Sequence, residues 1–177
     1  MTEGRHQQGD VLWDGFIAGT LGAVVVALWF LVLDMAQGHP LHTPALLGTA
    51  IFQGPAAAAE MEHADPGVVA MYSGVHMGLF ALFGIAVAWL IDQFRRRPIL
   101  GYLMVFVFVA FEFGFYVFVL AFAEPVVEGL PAWTILAGNF LAALVMGAYF
   151  VVRNPGLVGG GSGGSMDGAP PADHEPG

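Results

Sequence analysis

Cysteine and lysine are both absent from this 177-residue chain, and each absence narrows the chemistry. Without cysteine there is no disulfide, thiolate metal site, iron–sulfur cluster or cysteine nucleophile. Without lysine the positive charge is carried by five arginines against 14 acidic residues, a formal net charge of -9. That balance argues against nucleic-acid binding, which needs a basic face. It equally disfavours a polybasic grip on anionic lipid. Charge of any kind is scarce, at 11% of residues against 57% hydrophobic, which excludes an ordinary soluble domain. Catalytic signatures are missing too: there is no nucleophile elbow, no HExxH and no serine–histidine–acid set. The glycines of 159–164 follow no strand and open no helix, so they are no phosphate loop.

What the chain does have is long apolar runs. The most telling is residues 99–123, ILGYLMVFVFVAFEFGFYVFVLAFA, with Glu112 near its middle. A run that long crosses a bilayer as a helix. A carboxylate at that depth is costly and needs a partner or a water-filled cavity. Three further runs complete an all-α integral membrane fold, a four-helix transmembrane bundle with a short helical external loop between spans 1 and 2. The spans are expected at about 15–36, 68–92, 99–123 and 132–152, within a transmembrane domain of 15–153. A cytoplasmic segment, 1–14, precedes it and a flexible glycine- and proline-rich tail, 154–177, follows. The first run is long and lacks an A-x-A-like cleavage site, so it is expected to stay as a span.

Local signals refine this. Asp14 is placed to cap the first span. Along that span Gly15, Gly19, Ala23 and Ala27 recur every fourth residue, a small-residue stripe expected to pack inside the bundle rather than form a dimer face. Ala70, Gly74 and Gly78 form a second stripe, nearly opposite His76, which assigns helix packing to one face and the histidine to the other. Thr43-Pro44 reads as an N-cap and first turn of a short apolar helix ended by Gly54-Pro55. PAAAAEMEHA reads as a second short helix, and Asp65-Pro66 as the start of the next span.

Arginines fix the orientation. Arg5, Arg95 to Arg97 and Arg153 fall on one side if four spans alternate, whereas Glu60, Glu62, Asp65, Glu124 and Glu128 fall on the other. The positive-inside rule then makes both termini cytoplasmic in a bacterial-type inner membrane. Trp13, Trp89, Tyr102 and Tyr149 fit an inner aromatic belt, and Tyr72 and Trp133 an outer one.

Two groups of residues carry candidate chemistry. Inside the membrane, His76, Glu112, Tyr116 and Asn139 fall at comparable depths on three spans, at 1.5 Å of rise per residue. They read as a register-fixing hydrogen-bond set, as a proton or quinone-type contact, or as a site where His76 ligates haem or a chlorophyll-type pigment. In the external loop His39, His42 and His63, with Glu60 and Glu62, are ligand types suited to a transition metal, although their spacing matches no zinc signature.

The leading functional expectation is a non-catalytic accessory subunit of a larger membrane energy-converting complex, respiratory or photosynthetic. It rests on small size, missing catalytic motifs, and a third span whose phenylalanines occupy nearly every direction around a helix. Its partners would be the lipid bilayer, other integral membrane subunits and a basic periplasmic protein met by the acidic loops. Two other classes stay open: a haem-, pigment- or metal-binding redox protein using His76 or the loop histidines, and a small proton-coupled transporter or channel using Glu112.

Overall fold

The computed structural model describes residues 3–96 and 131–153, with residues 106, 109 and 113 between them. The described residues form five helices and no strand: α1 (Glu3–Ala36), α2 (His42–Phe52), α3 (Pro55–Ala59), α4 (Pro66–Arg96) and α5 (Ala132–Arg153). Among the described residues, three stretches are able by length and composition to cross a membrane, Asp10–Ala36, Pro66–Gln93 and Trp133–Arg153. The expected third span, 99–123, lies outside the described residues, apart from Phe106, Val109 and Phe113, which are helical and exposed. The tail from 154 also lies outside them.

The solvent these helices were built for is legible in what they bury. Among the described residues the buried apolar set is mostly alanine (Ala18, Ala23, Ala45, Ala58, Ala88 and Ala142), with no large side chain fully enclosed. Large apolar groups face outwards instead, Leu82 at 66% exposure and Phe140 at 64%. Water would penalise such a surface, but lipid tails do not, and helices in lipid associate through small residues that let backbones meet. The three long helices follow that rule.

α1 is the shared partner of the bundle. A β-carbon at Gly15 would fall 2.8 Å from the Gly84 carbonyl oxygen, and one at Gly84 would fall 2.7 Å from the Gly19 α-carbon. These are backbone-to-backbone contacts that only glycine permits. The Gly15/Gly19/Ala23 stripe is therefore buried inside the bundle, against α4, while Ala27 is exposed. Gly19 lies against Phe80 and Ala81, and Ala23 against His76, so α4 runs antiparallel to α1. On another flank Gly22 meets Met146, and Trp29 and Phe30 meet Gly138. Thus α5 also runs antiparallel to α1. Towards the α1 N-terminal end Ala18, Ala88, Met146 and Phe150 close one common core.

Four local expectations change. First, Asp14 does not cap α1, which starts at Glu3. Nothing between Glu3 and Asp14 breaks a helix, and 34 residues reach about 51 Å, well past a hydrocarbon core of about 30 Å. Second, Thr43 is not the N-cap of α2. The helix begins two residues earlier than expected, after Leu41 in the left-handed region at φ 66°, a conformation that costs a non-glycine residue about 1–2 kcal/mol. The cap comes from outside the segment: the buried Asp34 carboxylate accepts from the Thr43 N–H at 2.8 Å and from its hydroxyl at 2.6 Å. A carboxylate is the stronger acceptor, and it takes both donors at once. Third, the Ala70/Gly74/Gly78 row does not pack on α1 and stays exposed. α4 turns its Val68, Tyr72, His76, Phe80, Gly84 and Ala88 side inwards, because the backbone approach at Gly84 sets which face meets α1. Fourth, the second short helix is only one turn and a half, Pro55–Ala59. Asp65-Pro66 does start α4, with the Asp65 carboxylate accepting from the Gly67 N–H at 2.7 Å.

Candidate functional site

His76 is an ionisable side chain on the packed face of α4, one turn from Tyr72. Its Nε2 stands 3.2 Å from the Ala23 carbonyl oxygen of α1. A carbonyl only accepts, so Nε2 carries the hydrogen and donates. The ring is held between Tyr72, stacked at 5.9 Å between centroids, and Phe80 at 4.7 Å. Four-residue spacing on one helix face produces this aromatic–imidazole–aromatic column. The nitrogen that usually serves as an axial ligand is therefore spent on joining two helices, and ligation through it would break the α1–α4 bond.

The other members of the intramembrane set do not gather around His76 among the described residues. Glu112 and Tyr116 lie outside the described residues. Asn139, on α5, is half-buried. With α1 as a ruler, His76 is level with Ala23, whereas Gly138, beside Asn139, is level with Trp29 and Phe30. Six residues of α1 separate the two levels, about 9 Å along the axis. The expected common depth fails because counting from span ends ignores the stagger set by the glycine contacts.

Three polar contacts that spacing alone does not disclose complete the scaffold. The Trp29 indole N–H donates to the Thr134 carbonyl oxygen at 2.9 Å, beside an edge-on contact with Trp133 at 6.3 Å. At the opposite end Asp14 Oδ1 accepts from the Tyr149 hydroxyl at 3.1 Å and from Arg153 at 2.9 Å. Asp34 holds α2 down as described. The available signal was each aspartate's place in or beside an apolar run, since such a group needs a named partner. Among the described residues no buried side-chain nitrogen or oxygen lacks a hydrogen-bond partner.

The loop candidates are arranged differently. His39 and His42 are exposed, with ring centroids 6.3 Å apart. Glu60, Glu62 and His63 are exposed further along. Among the described residues no three histidine or acidic side chains are grouped as a set able to hold a metal ion, so the five-residue set is not assembled. α2 packs onto α4 at Gly48, against Val68 and Tyr72, and the Thr49 hydroxyl donates to Met61 Sδ at 3.7 Å.

What these elements define is a class: an all-helical assembly, among the described residues, with three helices long and apolar enough to span a bilayer. Compared with known protein families, curated proteins and solved structures, the chain matches none.

Proposed function

We propose that this protein is a four-span, non-catalytic accessory subunit of a larger membrane complex, of the energy-converting kind that respiration or photosynthesis uses. The observation that carries this reading is the use to which the buried and half-buried polar groups are put. His76 ties α4 to α1, Trp29 and Asp14 tie α5 to α1, and Asp34 ties α2 to α1. These groups are engaged in building a scaffold, and a scaffold with a wide apolar surface suits contact with lipid and neighbouring subunits. The exposed Phe106 and Phe113 extend that surface.

Support for the fourth span comes from the direction of the described helices. α4 ends at the end of the bundle marked by Asp14 and Arg153, whereas α5 begins at the end marked by Trp29. The chain between them has to get from one end to the other, and 99–123 is apolar enough to do so through lipid. Arg153 and the α4 C-terminus share one end, and the α2–α3 cap, whose following loop holds Glu60, Glu62 and Asp65, occupies the other. The positive-inside rule makes the arginine end cytoplasmic, which leaves the acidic cap facing a basic periplasmic partner.

The test is purification from native membranes in mild detergent, with subunit stoichiometry and a visible spectrum of the eluate. The proposal expects stoichiometric larger subunits, with any colour belonging to them. A protein that arrives alone with its own Soret or pigment band contradicts it.

A further inference from the structure

The turn between α1 and α2 holds two imidazoles whose proximity the scaffold does not use. We propose that His39 and His42 form a two-histidine site for a late first-row divalent metal, with Cu(II) bound most tightly. This goes beyond the accessory role and does not depend on it.

The separation of the two ring centres, with the ring planes inclined at 54°, matches that of two imidazoles on one ion. An imidazole nitrogen binds such a metal at about 2.0–2.1 Å, which sets the ring centre about 3 Å from the ion. Two rings on opposite sides of one ion then lie about 6 to 6.5 Å apart, centre to centre. The observed separation is 6.3 Å. A trans pair is half of a tetragonal coordination plane, the geometry that Cu(II) prefers, and Cu(II) heads the affinity order for nitrogen sites. Both rings are exposed, so water or a partner's group is able to fill the remaining positions.

The turn is also built to keep the pair in place. Between the histidines stand Pro40, with its fixed φ, and Leu41, in the left-handed region at φ 66°. The His42 N–H donates to the His39 carbonyl at 3.1 Å, closing the turn. Asp34 anchors both sides: its carbonyl accepts from the His39 N–H at 3.0 Å and its carboxylate holds Thr43. A non-glycine residue kept in that region is strain that the surroundings over-determine, and such strain gathers at ligand clamps. Glu60, Glu62 and Asp65 are the only charged residues of the 37–67 connection, so nothing of like charge in that connection repels a cation.

The experiment is a Cu(II) titration of the full chain in lipid nanodiscs at neutral pH, followed by electron paramagnetic resonance. The proposal expects one tight equivalent per chain with nitrogen couplings from two imidazoles. Removing an outer-shell partner of a metal ligand alone costs about 10–100-fold, so His39→Ala and His42→Ala should each weaken binding by at least about tenfold. Both side chains are exposed, so these variants keep the fold, which a thermal melt verifies. His63→Ala should bind as the parent does. Unchanged affinity in the His39/His42 double variant, or copper spread over the six histidines of the chain without preference, overturns the site.

Discussion

Gly84 is the point at which the packing of the bundle can be weighed. In Gly84→Ala the new methyl group would stand 2.5 Å from the Gly19 backbone nitrogen and 2.7 Å from its α-carbon. Ordinary van der Waals contact begins near 3.4 Å, so α1 and α4 have to part by about 1 Å along a seam made of backbone, which has no rotamer to yield. Overpacking of this kind costs about 1–3 kcal/mol. Alanine returns about 1 kcal/mol through its better helix propensity. The substitution should therefore destabilise the protein by up to about 2 kcal/mol, and Gly84→Val by more. Gly78→Ala is the internal control. It makes the same chemical change on the same helix where no described atom lies within 4 Å, so it should be neutral or stabilising by up to about 1 kcal/mol. The assay is reversible unfolding in mixed micelles, followed by far-ultraviolet circular dichroism. Equal stability of the Gly84→Ala and Gly78→Ala variants would refute the account of the α1–α4 seam.

Other contacts give separate expectations. Asp34→Ala leaves the buried Thr43 N–H and hydroxyl without their acceptor, which costs about 1–3 kcal/mol and should show as lost hydrogen-exchange protection confined to the start of α2. His76→Phe keeps the aromatic column and loses one hydrogen bond, so destabilisation should stay near 1 kcal/mol, and the visible spectrum of the purified protein should not change. Trp29→Phe removes the indole donor to Thr134 at a similar cost, and disulfide trapping between cysteines placed on α1 and α5 should become less efficient.

The long helices were legible because a bilayer demands a run of about 20 apolar residues, which few sequences carry by accident. The small-residue stripe at Gly15, Gly19 and Ala23 was legible for a similar reason, since glycine in a helix costs stability unless a neighbour comes close. Its partner was not. Ala70, Gly74 and Gly78 have the same four-residue rhythm as a packing stripe, whereas the contact is made by Gly84, whose row holds one other small residue, Ala88. A period reports a face but not what it meets. Depth failed at Asn139 for the same reason, because the stagger between helices is fixed by their contacts and not by span boundaries. Asp14 and Asp34 show the limit of local rules. Each looks like a cap or loop residue by its neighbours, yet one binds Arg153 and the other Thr43. Asp14's partner is far along the chain and unreadable from spacing, while Asp34's, nine residues on, was read as a cap in its own right. His39 and His42 were legible as ligand types, but the turn that separates them from His63, Glu60 and Glu62 as a set was not.

The absence of cysteine makes the central claim of the account, four crossings with the arginine end inside, directly measurable. Single cysteines at Asp10, Glu62, Glu128 and Asn154 are labelled in intact cells with a membrane-impermeant maleimide, and again after permeabilisation. The account predicts labelling at 62 and 128 in intact cells, and at 10 and 154 only after permeabilisation. Positions 62 and 128 on opposite sides of the membrane would contradict it.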